Sequence, residues 1–123
     1  MNTETIAKRL VALCREGKFE EAQRELYADD ALSIEPEGVP PGGLGNATGL
    51  AAIIEKGHQF NAMIEAVHGG SVSEPVIADN WFSIAMTMDV TMKGRGRMDM
   101  KEICVYQVRN GKIVREQFFF DVG

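Results

Sequence analysis

The sequence predicts an α+β domain in which helices from the first half of the chain cover a long antiparallel sheet from the second. Three observations carry this. Residues 81–92 alternate: Phe82, Ile84, Met86, Met88, Val90 and Met92 are apolar, with Ser83, Thr87, Asp89 and Thr91 between them. That period of two marks a strand with one buried face. Asn110-Gly111 between two further apolar-rich runs is a tight-hairpin signal. The first half, in contrast, repeats its apolar residues at helical spacing.

At 123 residues the chain has room for one domain with a real core. A hydrophobic content of 45% and a charged content of 25% are ordinary for a globular protein. The net charge of −5 argues against a nucleic-acid groove or an anionic membrane as partner. No apolar run reaches membrane-spanning length, and the first residues lack the basic and apolar regions of a secretory signal. A cytoplasmic location is therefore expected. Cys14 and Cys104 have no metal-type spacing and read as small core residues in a reducing compartment. No cofactor and no metal are expected.

In chain order, residues 3–16 form the first predicted helix, with Ile6, Leu10, Leu13 and Cys14 on one face and Gly17 as its stop. Residues 18–27 form a second, with Phe19, Ala22 and Leu26 facing inward. Residues 31–35 read as a short strand. Residues 36–49 hold three prolines and several glycines, so no regular element runs through them, and a loop of that length suits a lid or a binding loop. Thr48 or Asn46 is the expected cap of a third helix over residues 49–67. On its wheel Leu50, Ile53, Ile54, Gly57, Phe60, Ile64 and Val67 share a broad face, with Asn61 near the middle and His58 at the edge. Residues 71–77 make a strand that Pro75 confines to an edge. Residues 81–92, 98–109 and 112–122 complete the sheet.

A register follows from matching apolar to apolar. Taking residues 94–96 as a three-residue loop places Met92 opposite Met98, Val90 opposite Met100, Met88 opposite Glu102 and Met86 opposite Cys104. Glu102 is then the one carboxylate on a Met-lined face. A two-residue Asn110-Gly111 turn places Val108 opposite Ile113, Tyr106 opposite Arg115, Cys104 opposite Gln117 and Glu102 opposite Phe119. Asp121 becomes a diagonal neighbour of Glu102. An inward carboxyl in apolar surroundings holds its proton longer, which suits a general acid or base near neutrality. Glu102 and Asp121 are the candidate catalytic pair. Asn61, Tyr106, Gln117, Met86, Met88, Met100, Phe60 and Phe119 are the candidate ligand contacts. Two alternatives stay open. Glu102 pairs with Arg115 as a structural ion pair, or a bulge between Val114 and Phe118 turns Glu116 inward in place of Arg115 and Gln117.

The closing hairpin, residues 105–114, ending in Phe118-Phe119-Phe120-Asp121, resembles the SnoaL-like branch of the NTF2-like (cystatin-like) superfamily. Residues 27–31 and 46–54 are similar to that family as well. The resemblance implies an NTF2-like cone: a curved antiparallel sheet wrapped around a long helix, with two further N-terminal helices and an apolar pocket open at one end. It implies metal-free cyclase, isomerase or dehydratase chemistry on a small apolar carbonyl compound. Simple binding of an apolar ligand and a homodimeric accessory role are its rivals. It also implies a homodimer through the outer sheet face, here assigned to Ile103, Val105, Phe118 and Phe120. Two family patterns are absent. No tyrosine stands on the first helix where the isomerases carry one, and no matched Asp-Arg-Asp trio of the epoxide hydrolases is present. An inward acid on a late strand, as in the cyclases, is supplied by Glu102.

Overall fold

A computed structural model describes residues 1–39 and 44–122. The elements are α1 (Thr3–Arg15), α2 (Phe19–Leu26), β1 (Tyr27–Ile34), β2 (Ala47–Thr48), α3 (Leu50–Met63), β3 (Ile64–Val72), β4 (Val76–Ala78), β5 (Trp81–Met92), β6 (Gly96–Arg109) and β7 (Lys112–Phe119). The α+β class is as the sequence predicts. One curved sheet runs in the order β2-β1-β7-β6-β5-β3, with β4 paired to the first part of β5. Its pairings are antiparallel except β1 with β7, which run parallel. No helix among the described residues is long and apolar enough to cross a membrane.

The core sits between the concave face of the sheet and α1. That helix starts where the Asn2 side chain accepts a hydrogen bond from Thr5 N at 2.8 Å, as a helix-capping amide does. It ends before Gly17, whose φ of +74° suits a residue without a Cβ. It buries Ile6, Ala7, Leu10, Val11, Leu13 and Cys14 against Phe82, Ile84, Cys104, Tyr106, Val108 and Ile113. Burial of six side chains on a 13-residue helix is what holds it, since an isolated helix of that length is marginal. The third helix, α3, buries only Ile53 and Ile54 fully. Its remaining inward face looks into open space, and that space is the cavity.

Four expectations need correction. The third helix stops at Met63, not near residue 67, because Ile64 onward pairs with β5 as an edge strand in which Val67 is exposed. Its cap is Gly49, at φ +93°, and the Asn46 side chain instead accepts from Glu35 N at 2.7 Å, closing the base of the 36–46 loop. Part of that loop, residues 40–43, lies outside the described residues.

The β5–β6 register is displaced by two residues. Met92 pairs with Gly96, Met88 with Met100, Met86 with Glu102 and Ile84 with Cys104. The loop is Lys93-Gly94-Arg95, closed by Arg95 N donating to Met92 O at 3.1 Å. A two-residue slip keeps every side chain on its predicted face. Glu102 therefore still points inward.

The β6–β7 hairpin starts as predicted, Val108 opposite Ile113, and then takes the bulge. Gln107 pairs with Arg115, Tyr106 with Glu116, Cys104 with Phe118 and Ile103 with Phe119. One extra residue on β7, Val114, inverts all that follows. Arg115, Gln117 and Phe119 turn to the convex face, and Glu116 and Phe118 turn inward. The outer patch assigned to Phe118 and Phe120 is thus carried by Phe119 with Ile103 and Val105. Asp121 lies beyond the end of β7 and is exposed. Burial explains the inversion, because the bulge puts an acid with ready donors, not an arginine, into the interior.

Candidate functional site

The cavity, about 260 Å³, opens between α2, α3 and the concave face of β1, β5, β6 and β7. Its walls include Met86, Met88 and Met100 from the paired strands, Phe118 from β7 and Phe120 just beyond it, and Phe60 from α3. The slipped register makes a square on the sheet: Met88 opposite Met100 and Met86 opposite Glu102, all inward. Thioethers and aromatic rings form an adaptable apolar lining.

Glu102 belongs to this square. Among the described residues its only side-chain donor is the weak Cys104 thiol, with Sγ 3.5 Å from Oε1. Burial among apolar groups raises its pKa to about 7. Cys104 and Lys56 work against that rise, and the acidic neighbours Glu35 and Glu116 add to it. Near neutral pH the carboxyl is therefore divided between acid and base. It makes no ion pair with Arg115, which faces outward and donates to Gln117 Oε1 at 3.1 Å.

A second polar group forms the inner end. Glu116 is 3% exposed and accepts from the Tyr27 hydroxyl. Burial raises its pKa, opposed by hydrogen bonds from Ser33 and Tyr27 and by the charge of Lys56. Ser33, wholly buried, accepts from Lys56 Nζ at 2.6 Å, and the same ammonium reaches Glu35 Oε1 at 2.8 Å. The Lys56 and Glu35 side chains are each 12% exposed, and Lys56 also lies 5.4 Å from the centre of the Phe118 ring. Lys56 with Glu35 and Ser33, and the Tyr27–Glu116 pair beside them, thus form a polar chain across β1, α3 and β7, with Ser33 standing opposite Glu116 in the β1–β7 pairing. Among the described residues no buried side-chain polar atom lacks a partner.

At the rim, His58 pairs with Glu20 across α2 and α3, and Glu20 also holds Arg24. Tyr106 lines the cavity from its buried end, its ring stacked on Phe82 with centroids 4.8 Å apart, and burial pushes its phenol well above the usual range. Cys14 also contributes to the lining, its thiol pushed by burial up to about 12. Among the described residues, no group of three or more His, Cys, Asp and Glu is placed to hold a metal ion. A second concavity, on the convex face, about 380 Å³, is edged by Asp30, Arg109, Lys112 and Arg115.

Of the predicted site residues, Glu102, Asn61, Tyr106, Met86, Met88, Met100 and Phe60 line the cavity, with Asn61 exposed at its rim. Gln117 and Phe119 are turned away by the bulge, and Asp121 lies outside. Four residues missing from that prediction, Tyr27, Ser33, Glu35 and Lys56, belong to the polar chain. Lys56 left a trace in the sequence: it falls between Ile53 and Phe60 on the inward face of α3, where a lysine needs a partner.

A model of the SnoaL-like domain matches residues 1–120. Among solved structures, the chain is similar to a Mesorhizobium loti protein provisionally described as a SnoaL-like polyketide cyclase. The two are 34% identical over 98% of this chain and 100% of that one, with a TM-score of 0.89. An NTF2-like protein from Burkholderia thailandensis shares the fold at 16% identity over 98% and 92% of the two chains, TM-score 0.82. A Jannaschia protein, also provisionally described as a SnoaL-like polyketide cyclase, does so at 14% identity over 98% and 87%, TM-score 0.67. No curated protein matches the sequence.

Proposed function

Because the chain belongs to the SnoaL-like domain family, we propose that it is a cofactor-independent acid–base enzyme of the cyclase, isomerase or lyase type, acting on a small apolar carbonyl compound. One observation carries the reading: Glu102 is a carboxyl buried in an apolar cavity with no strong partner among the described residues, and that burial raises its pKa to about 7. A base with a pKa near the working pH combines a usable deprotonated fraction with enough basicity to take a proton from a carbon next to a carbonyl. Such a step develops negative charge on the carbonyl oxygen. The fixed ammonium of Lys56 is the cationic group of the inner cavity, and it stabilises that charge without reorganising. Asn61 orients the substrate from the rim, and Tyr106 shapes the wall.

The test is solvent exchange. Candidate carbonyl compounds incubated with the protein in D2O take up deuterium at the α-carbon, read by mass spectrometry. E102Q abolishes uptake while leaving substrate affinity within about threefold, since Gln keeps size and polarity but has no basic oxygen. If E102Q exchanges as fast as the parent, Glu102 is not the base.

A non-catalytic binding role is favoured by one feature: the inner polar chain is satisfied within the protein, so it is stable without chemistry. Binding with no exchange for any enolisable ligand selects that reading. We further infer a homodimer through the convex face. There Ile103 and Phe119 pair with each other and are 49% and 48% exposed, beside Val105, and adjoining apolar side chains left in water mark an interaction surface. Light scattering gives a dimer for the parent and a monomer for I103D. A parent that stays monomeric at high concentration removes the inference.

A further inference from the structure

Among the described residues the cavity is lined by four carboxyls and by only two groups able to carry positive charge, Lys56 and His58. Three of the carboxyls are matched: Glu20 by His58 and Arg24, Glu35 by Lys56, Glu116 by Tyr27. Glu102 is left with the Cys104 thiol alone. What the cavity lacks among the described residues is a strong donor at Glu102, and a cationic one offsets part of what the carboxylate loses on leaving water. The walls suit a cation too. Aromatic faces and polarisable thioethers accept positive charge, and the Lys56 ammonium already rests over Phe118.

We infer that the cavity takes a small protonated amine with apolar substituents, its ammonium against the Glu102 carboxylate and its carbon body among Met86, Met100, Phe118 and Phe120. This shares Glu102 with the proposed reaction but does not depend on turnover. An amine of this kind occupies the base and excludes a carbonyl substrate.

The pH dependence follows from what faces Glu102. On its own strand are Cys104 and Tyr106. From the other elements come Glu35 and Glu116, which oppose its charge, and Lys56, which favours it. The thiol and the phenol are held protonated well above neutrality. Below pH 7 a proton competes with the amine for Glu102, so affinity falls about tenfold per unit.

The probe is N,N-dimethylbenzylamine, with isobutylbenzene as its uncharged shape equivalent, each titrated by NMR and calorimetry on the full chain. At pH 8 the amine is expected to bind at least about tenfold more tightly than the hydrocarbon, as a desolvated ion pair with cation–π contacts requires. That preference shrinks towards pH 5, and near pH 7 amine binding releases protons into the buffer. E102Q removes the preference but retains hydrocarbon binding, which also shows the variant folded. H58Q leaves the pH dependence in place. Equal affinity for the two probes at pH 8, or a preference that persists at pH 5, overturns the inference on the parent protein alone. A preference that survives in E102Q, or a pH dependence that vanishes in H58Q, overturns the role of Glu102. Deuterium exchange reads the catalytic proposal separately, so either can fail without the other.

Discussion

Replacing Glu102 by glutamine stabilises this protein at alkaline pH. Unfolded, the carboxyl has the ordinary value of 4.5; folded, it is raised to about 7. A group raised on folding supports the folded state while protonated and loses that support as pH climbs through the folded value. The rise of about 2.5 in pKa corresponds to about 3 kcal/mol once both states are ionised, at roughly 1.36 kcal/mol per unit. By the same linkage the penalty is under about 1 kcal/mol at pH 5, where the folded carboxyl is still mostly protonated. Glutamine does not titrate and escapes the penalty. The stability difference between E102Q and the parent therefore grows by about 2–3 kcal/mol between pH 5 and pH 8, or about 10 °C in Tm for a domain of this length. Urea unfolding and thermal melts at the two pH values measure it. A difference that does not change with pH means the carboxyl is solvated or paired, and the proposed role of the cavity fails with it.

Three further outcomes follow from the polar chain and the sheet. K56Q removes the cation that holds the carboxylates of Glu102 and Glu116 down, so the rising limb of any base-dependent rate moves to higher pH. A limb that stays put or moves down separates Lys56 from the site. Y27F takes a donor from the buried Glu116 carboxyl, which then titrates higher still. Its cost in urea unfolding is about 2 kcal/mol, and a loss below about 0.5 kcal/mol means water replaces the phenol. G70A sets a Cβ 2.7 Å from the Thr87 carbonyl oxygen. That contact forces the β3 and β5 backbones apart and lowers stability by about 1–3 kcal/mol; an unchanged melt means the edge strand shifts freely.

Fold class was legible because strict alternation in β5 and the Asn110-Gly111 turn leave little freedom. A face is set by parity, and parity survived the two-residue slip beside Gly94. For the same reason Glu102 was found. The Val114 bulge was the weak point. Phe118, Phe119 and Phe120 fit either face, so apolar matching carries no information there. The decision rests on Tyr27, which donates to Glu116, and on Ser33, which pairs with it, both on a strand far away in the sequence. That long-range pairing is why Gln117, Phe119 and Asp121, which apolar matching alone places inward, lie outside the cavity. The end of α3 is not legible in the sequence because Ile64 and Val67 continue a helical pattern; pairing of those residues with β5 outweighs it. Lys56, Glu35 and Ser33 are polar residues from separate stretches of chain that meet only after β1 lies against β7 and α3, and local pattern has no access to that.

The most direct test of the central claim is a carbon-detected NMR titration of the Glu102 carboxyl, with E102Q to assign the signal. The expected midpoint is about 7. A midpoint at or below about 4.5, the ordinary value of a glutamate, contradicts it, because such a carboxyl is no longer poised to move a proton at neutral pH.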